Sequence, residues 1–274
     1  MLPSAAPILL YLWDKRTFCL SAFSEPLQLS QAASMLLISL DGPMRLYSQG
    51  VEQLCSSALL PAGLELNVDT QGSRVALCYL DVFGEDFALL APRMASHHAG
   101  VLGGLQDEER YRQRFDELHQ CVAEPAQIWA WLNELINPQR CKPQGFVCDP
   151  RIVRAVALIK ADVSCNHSID YLAAQIGLSV PRLTQLFRQT VGIPIRRYRQ
   201  WHRLFVTTLG VAQGMSLTEA AVAAGFTDSA HFSHTFRTIT GLKPSTVLAQ
   251  AARIRLFADA SGIEPDGAGG HTAG

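Results

Sequence analysis

Two clusters of small and polar side chains sit at the start of apolar-periodic segments in the second half of the chain. The first is Val180, Pro181, Arg182, Thr184, Gln185 and Arg188. The second is Ser229, Ala230, His231, Ser233, His234 and Arg237. At helical spacing each set lies opposite an apolar stripe: Leu183, Leu186 and Phe187 in one, Phe232, Phe236 and Ile239 in the other. Hydroxyl, amide, imidazole and guanidinium groups presented this way can reach base edges in a major groove and the phosphates beside it. Arg188 and Arg237 each follow an inward Phe, so both can equally be surface arginines that only stabilise their helices. Between the clusters, Ile195 to about Ala212 contains Arg196, Arg197, Arg199 and Arg203, with no proline or glycine before Gly210. Arg197 and Arg199 are expected on phosphates, which supply affinity without sequence information. No nucleophile beside a base is visible, and no enzymatic activity is expected.

The elements that must position these groups are written twice. Leu172-Ala173-Ala174-Gln175-Ile176-Gly177-Leu178-Ser179 leads to Leu183, Phe187-Arg188, Gly192 and Pro194. Ala220-Ala221-Val222-Ala223-Ala224-Gly225-Phe226-Thr227 leads to Phe232, Phe236-Arg237, Gly241 and Pro244. Gly177 and Gly225 are 48 residues apart; Leu183/Phe232, Phe187/Phe236 and Gly192/Gly241 are each 49 apart. Each copy is a short helix, a glycine turn and a second helix, the grammar of a helix-turn-helix. Ser179 is placed to cap the second helix of the first copy. Ser216-Leu217-Thr218-Glu219 reads as a capping box, and Asp228 as the cap of the last helix. The joining stretch, as one helix of about 18 residues, spans roughly 27 Å, enough with side offsets to put two heads in successive major grooves about 34 Å apart.

Charge separates along the chain. Residues 1–150 carry 10 Lys+Arg against 17 Asp+Glu; residues 151–258 carry 13 against 4; residues 259–274 carry three acids and no base. A basic segment joined to an acidic one fits a polyanion reader coupled to a separate domain. The seven cysteines (19, 55, 78, 121, 141, 148 and 165) are scattered with no C-x-x-C pair, which suits reduced thiols better than disulfides or a zinc site. His97 and His98 are adjacent, a poor geometry for joint ligation, and no metal and no cofactor are expected. No membrane span or secretory signal is visible, so a cytoplasmic location is expected.

The first hundred residues read as strands. Met35–Leu40 stops at a turn cluster, Met44–Tyr47 and Gln53–Leu60 follow, Leu64, Leu66 and Val68 alternate with polar residues, and Arg74–Leu80 comes next. A small barrel or jelly roll is expected over 1–105. Residues 106–137 read as a helix pair, with Tyr111, Phe115, Leu118 and Val122 on one stripe and Ile128, Leu132, Leu135 and Ile136 on the other. The stripes either pack on the barrel or form a dimer interface. Residues 138–150 read as a linker, 151–258 as the double helix-turn-helix domain, and 259–274 as a disordered tail.

These residues resemble the DNA-binding domain of the AraC/XylS family of bacterial transcription regulators, over about Val153 to Leu248. The resemblance rests on Leu172-Ala173, Gly177-Leu178-Ser179, Leu183, Phe187-Arg188, Gly192 and Arg203, then on Ala220-Ala221, Gly225-Phe226, Asp228, Phe232-Ser233, Phe236-Arg237, Gly241 and Pro244. It implies seven helices, with Pro181, Thr184 and Gln185 facing bases in the first head and Ser229, Ala230, His231 and His234 in the second. One departure is Ser245-Thr246-Val247-Leu248 after Pro244, where the family carries Pro-x-x-Tyr-Arg. The N-terminal half is similar to the cupin-like sensor domain of such regulators, on Leu59–Gly63 and Arg74–Asp81, although Glu65 stands where a metal-binding cupin has histidine. The resemblance implies a mixed architecture, with a β-rich jelly-roll domain followed by an all-α domain. It also implies a homodimeric regulator of double-stranded DNA, more often an activator, that works with RNA polymerase and answers a small apolar or amphipathic effector in the barrel. An alternative is a redox-responsive regulator using Cys141 and Cys148.

Overall fold

The computed structural model describes residues 8–23, 25–30, 32–165, 167–241 and 254–258. The expectations for Pro244 to Leu248 and for the tail 259–274 lie outside these residues. The N-terminal half is a β-sandwich. An eight-stranded sheet contains β1 (Ile8–Leu12), β2 (Thr17–Ala22), β4 (Met35–Ser39), β7 (Ser57–Leu60), β9 (Arg74–Tyr79), β10 (Met94–His98), β11 (Val101–Leu105) and β12 (Ile254–Ala258). Its order is β10-β11-β7-β4-β9-β2-β1-β12. A four-stranded sheet has the order β3-β8-β5-β6, from β3 (Leu27–Ser30), β5 (Met44–Ser48), β6 (Val51–Cys55) and β8 (Glu65–Asp69).

The central strands of the large sheet are buried on both faces, which explains their unbroken apolar runs. Met35, Leu37, Val75 and Leu77 point into the core shared with Leu29, Leu46, Leu66 and Val68 of the small sheet. Leu36, Ile38, Ala76 and Cys78 point the other way, onto α2 (Glu108–Gln120) and α3 (Pro125–Ile136). A short α1 (Glu85–Leu90) and one 3-10 turn (Ala91–Arg93) connect the sheet to this helix pair.

Both apolar stripes of the helix pair face the sheet: Tyr111, Phe115, Leu118, Ile128, Leu132, Leu135 and Ile136 are all buried in that core. Of the two roles expected for these stripes, packing is the one realised. Arg16, in the β1–β2 turn, fastens the layers. It forms a bidentate pair with Asp86, both bonds 2.6 Å, donates to Asn133 Oδ1, and lies 4.8 Å over the Trp129 ring.

Gln53–Leu60, expected as one strand, is two. β6 belongs to the small sheet and β7 to the large one, so the chain changes sheets at Ser56. A second difference concerns residues 254–258, grouped by sequence with the DNA-binding domain. They form β12, which pairs in parallel with β1, and Phe257 stacks on Tyr11 at 4.6 Å. The chain thus returns to the N-terminal sheet after its helical domain.

That domain holds α4 (Pro150–Ala161), α5 (Ile169–Gln175), α6 (Val180–Val191), α7 (Ile195–Ala212), α8 (Leu217–Ala223) and α9 (Ser229–Thr240). Its core is built from Leu172, Leu183, Phe187, Tyr198, Leu204, Ala221, Phe226 and Phe232, among others. Ala32, Ala62, Val82 and Phe83 of the N-terminal domain join this core, so the two domains share an apolar interface. Lys160 on α4 pairs with Asp14 across it at 2.7 Å.

Candidate nucleic-acid interface

Each helix-turn-helix is set by local signals. In the first, Ser168 caps α5 by accepting from the Tyr171 N–H, and Gly177 turns the chain at φ 67°. Only a residue without Cβ takes that conformation cheaply. Ser179 occupies the cap position of α6, but its side chain accepts no capping hydrogen bond; Pro181 in the first turn supplies the preset φ instead. In the second, the capping box is present: the Ser216 side chain accepts from the Glu219 N–H, and Glu219 accepts from the Ser216 N–H. Asp228 caps α9 through the His231 N–H, which holds its carboxyl below the ordinary value. The heads sit at the two ends of α7, a single helix of 18 residues.

The first cluster lies where the spacing places it. Pro181, Arg182, Thr184, Gln185 and Arg188 are exposed on α6 and Val180 is half-buried, while Leu183 and Phe187 are fully buried. Arg182 donates to Gln185 Oε1 at 3.0 Å, and the Thr184 hydroxyl donates to the Val180 carbonyl of its own helix at 2.9 Å. On α9, Ala230, His234 and Arg237 are exposed, and Ser229, His231 and Ser233 are half-buried. His231 Nδ1 sits 3.2 Å from Thr227 Oγ1.

Arg197 and Arg199 do not stand free as a phosphate clamp. Arg197 donates to the Ser30 carbonyl of the N-terminal domain at 2.8 Å, and Arg199 to the His167 carbonyl at 2.6 Å. Burial lowers the pKa of both. Arg203 is likewise half-buried beside the Val163 carbonyl, whereas Arg196 is exposed. Helical charge periodicity fixed which arginines leave the local core. It carried no information on the N-terminal domain that meets Arg197, or on the α4–α5 loop that meets Arg199 and Arg203.

Sequence reasoning missed a cleft of about 1280 Å³ between the domains. Its N-terminal wall draws on the large sheet, including Ile8, Leu10, Cys19 and Tyr79, and on the small sheet, including Leu27, Leu29, Glu65 and Leu66. Its other wall is α7 and α9, through Arg197, Trp201, Phe205, Thr208, His234 and Arg237. Trp201 meets Tyr79 with ring centroids 4.4 Å apart. The aromatic pair Trp201 and Phe205, one turn apart on α7, was a visible second apolar face. Met35, Met44, Leu46, Leu60 and their neighbours pack the core between the two sheets, and the cleft opens at its edge, where Leu27, Leu29, Leu66 and Leu77 of the two sheets line it.

α9 packs directly on β3. A Cβ at Gly241, the C-cap of α9, would lie 2.7 Å from the Gln28 carbonyl oxygen, and its φ is 72°. His234 and Arg237 therefore belong to the candidate nucleic-acid surface and to the wall of the cleft at once.

The cysteines show little redox preparation. All seven are free; Cys141 is exposed and Cys148 half-buried. Burial, then Asp81, Asp149 and Glu85, raise the Cys148 thiol and disfavour its thiolate. Among the described residues no helix is long and apolar enough to cross a membrane.

Known proteins share this architecture. Residues 172–250 match a family model described as a helix-turn-helix domain. The arabinose operon regulatory protein of Escherichia coli is 33% identical over 116 residues, covering 42% of this chain and 37% of that protein. Its Salmonella typhimurium counterpart is 30% identical over 118 residues, covering 42% and 39%. The chain thus spans about two fifths of the length of the curated relatives it matches. ToxT from Vibrio cholerae has the same fold over nearly its whole length: TM-score 0.58 at 12% identity, covering 86% of this chain and 98% of ToxT. ToxT bound to an unsaturated fatty acid aligns with TM-score 0.50 at 13% identity, covering 91% and 98%. The helical domain of this chain is thus similar to that of the arabinose operon regulators, and its two helix-turn-helix heads stand behind a β-rich domain in the fold of ToxT.

Proposed function

We propose that this protein is a sequence-specific DNA-binding transcription regulator, most plainly an activator, controlled by a small molecule held between its two domains. One observation carries the reading: two helix-turn-helix heads stand at opposite ends of one 18-residue helix, each with polar groups on its outer face. Gln185 and Thr184 in the first head and Ser229, Ala230, His231 and His234 in the second meet base edges. Arg182, Arg188, Ser233 and Arg237 meet phosphates or flanking edges, and Val180 and Pro181 supply apolar contact. Arg197 and Arg199 act at one remove, by fixing α7 against its neighbours.

The effector site in this reading is the cleft, walled by both sheets of the N-terminal sandwich on one side and by α7 and α9 on the other. Its apolar floor and the cations Arg197 and Arg237 on its helical wall suit an amphipathic molecule. ToxT, a protein of the same fold, has been seen bound to an unsaturated fatty acid, which supports an amphipathic effector. A homodimer through residues 106–137 would have to use the outer face of the helix pair, because the apolar stripes are already packed on the sheet. RNA polymerase is the remaining partner of the proposal.

The test is binding of the full chain to duplexes selected from genomic DNA. If six to ten phosphates are contacted, affinity falls about 10³- to 10⁵-fold between 50 and 200 mM salt. Flat salt dependence, or no binding at 50 mM, would refute it.

A further inference from the structure

A cluster of metal-ligand types lies outside the cleft and outside the outer faces of both heads. The loop between α4 and α5 carries Asp162, Cys165 and His167, spaced as Asp-x2-Cys-x-His. One carboxylate oxygen, the Cys165 Sγ and a ring nitrogen of His167 all lie within 4.8 Å of one another. Cys165 Sγ and His167 Nδ1 are 3.5 Å apart. Around a tetrahedral zinc, with Zn–S of about 2.3 Å and Zn–N of about 2.1 Å, the S···N edge comes to about 3.6 Å. The thiol and imidazole therefore already stand at ligand separation, with the carboxylate oxygen within 4.8 Å of both.

The loop is held in that shape from both sides. Asp162 Oδ1 accepts from the Ser164 hydroxyl and the Cys165 N–H, each at 2.8 Å. His167 stacks on Tyr171 at 4.5 Å, and its carbonyl accepts from Arg199.

An independent observation comes from beneath the loop. His202, on α7, lines the same small pocket as Asp162, Cys165 and His167. It is 8% exposed, and its Nε2 is one of three buried side-chain atoms left without a hydrogen-bond partner among the described residues. An unpaired buried polar atom is costly. A metal-bound water in the fourth position would supply the partner it lacks.

We propose that Asp162, Cys165 and His167 form a zinc site, closed by a water that bonds to His202. The ion takes a carboxylate, a thiolate and a neutral imidazole; on binding, the Cys165 thiol proton passes to solvent. The two anionic ligands neutralise the dication, so Arg199 and Arg203, which also line the pocket, face a centre without net charge.

The place gives the ion a purpose. The loop touches α7 through Arg199 and Arg203 and lies against the turn of the second head, where a Cβ at Gly225 would come 3.1 Å from the Val163 carbonyl. A filled site would brace the joint at which the first head, the connecting helix and the second head meet. No motif announces a metal here, because the donor set is mixed and contains neither a C-x-x-C pair nor a histidine cluster.

The test uses cobalt as the probe on reduced, chelator-stripped full-length protein. Thiolate-to-cobalt charge-transfer absorption should appear, saturate at about one equivalent and be displaced by zinc. Cys165→Ser, at an exposed position, should abolish it, and Cys121→Ser and Cys141→Ser should leave it intact. His202→Phe should weaken metal affinity about 10- to 100-fold, the usual effect of losing an outer-shell partner. Absence of the band at stoichiometric cobalt, or a band that survives Cys165→Ser, would overturn the site. Unchanged affinity in His202→Phe would overturn the role of His202. DNA binding enters none of these readouts, so failure here is separate from failure of the proposed function.

Discussion

Replacing Gly241 by alanine should loosen the second head from the N-terminal domain. Two costs arise. The residue sits at φ 72°, where an L side chain costs about 1–2 kcal/mol. Its new Cβ would also lie 2.7 Å from the Gln28 carbonyl oxygen, with Gln28 C and N at 3.1 Å. Backbone cannot swing aside as a flexible side chain can, so the relief must come from moving α9 off β3. Overpacking of this kind costs about 1–3 kcal/mol, which shifts the docked-to-undocked ratio by about 5- to 150-fold. Gly145→Ala is the control: φ is 69° there, and nothing lies within 4 Å of the added Cβ. Both variants should lose similar stability from backbone strain. Only Gly241→Ala should enlarge the radius of gyration by solution scattering and tighten DNA binding several-fold by fluorescence anisotropy, because His234 and Arg237 leave the cleft wall. Equal radius and equal DNA affinity in the two variants would contradict the docking of α9 on β3.

Three further outcomes follow from particular contacts. Asp86→Asn should cost about 3–5 kcal/mol in urea unfolding, since it leaves Arg16 buried at 5% exposure without its bidentate partner; a loss under about 1 kcal/mol would contradict a buried ion pair. His202 is held down to about 4 by burial, then by Lys160, against a smaller opposing pull from Asp14. Its folded form therefore binds fewer protons than the unfolded chain between about pH 6.5 and 4, and stability should fall with pH across that window, by up to about 3 kcal/mol. In chelator, His202→Phe should flatten this decline, and equal slopes in both proteins would refute the assignment. Gln185→Ala should relax base preference under the first head by about 1–3 kcal/mol, read by binding selection, whereas Arg188→Ala should weaken all sequences alike.

The helical half was legible because its signals are local. Gly177 and Gly225, the Ser216–Glu219 capping box and Asp228 each act within a few residues, and each stands where its chemistry requires. The apolar runs at Met35–Leu40 and Arg74–Leu80 were legible as strands for the same reason. What escaped notice depends on distant partners. β12 pairs with β1 across some 240 residues of chain, and no periodicity in Ile254–Ala258 announces it. The break at Ser56 divides one apolar-polar run between two sheets. Arg197 and Arg199 have the type and spacing of phosphate ligands, but carbonyls of Ser30 and His167 take their donors. The cleft is built from both domains, so neither half of the sequence could show it alone.

The central claim is that both heads read one duplex from the two ends of α7. A hydroxyl-radical footprint of the full chain on a binding-selected fragment tests it most directly. Two protected patches, centred about 10 base pairs apart on one face of the helix, are the predicted result. A single patch, or no protection at low salt, would contradict it.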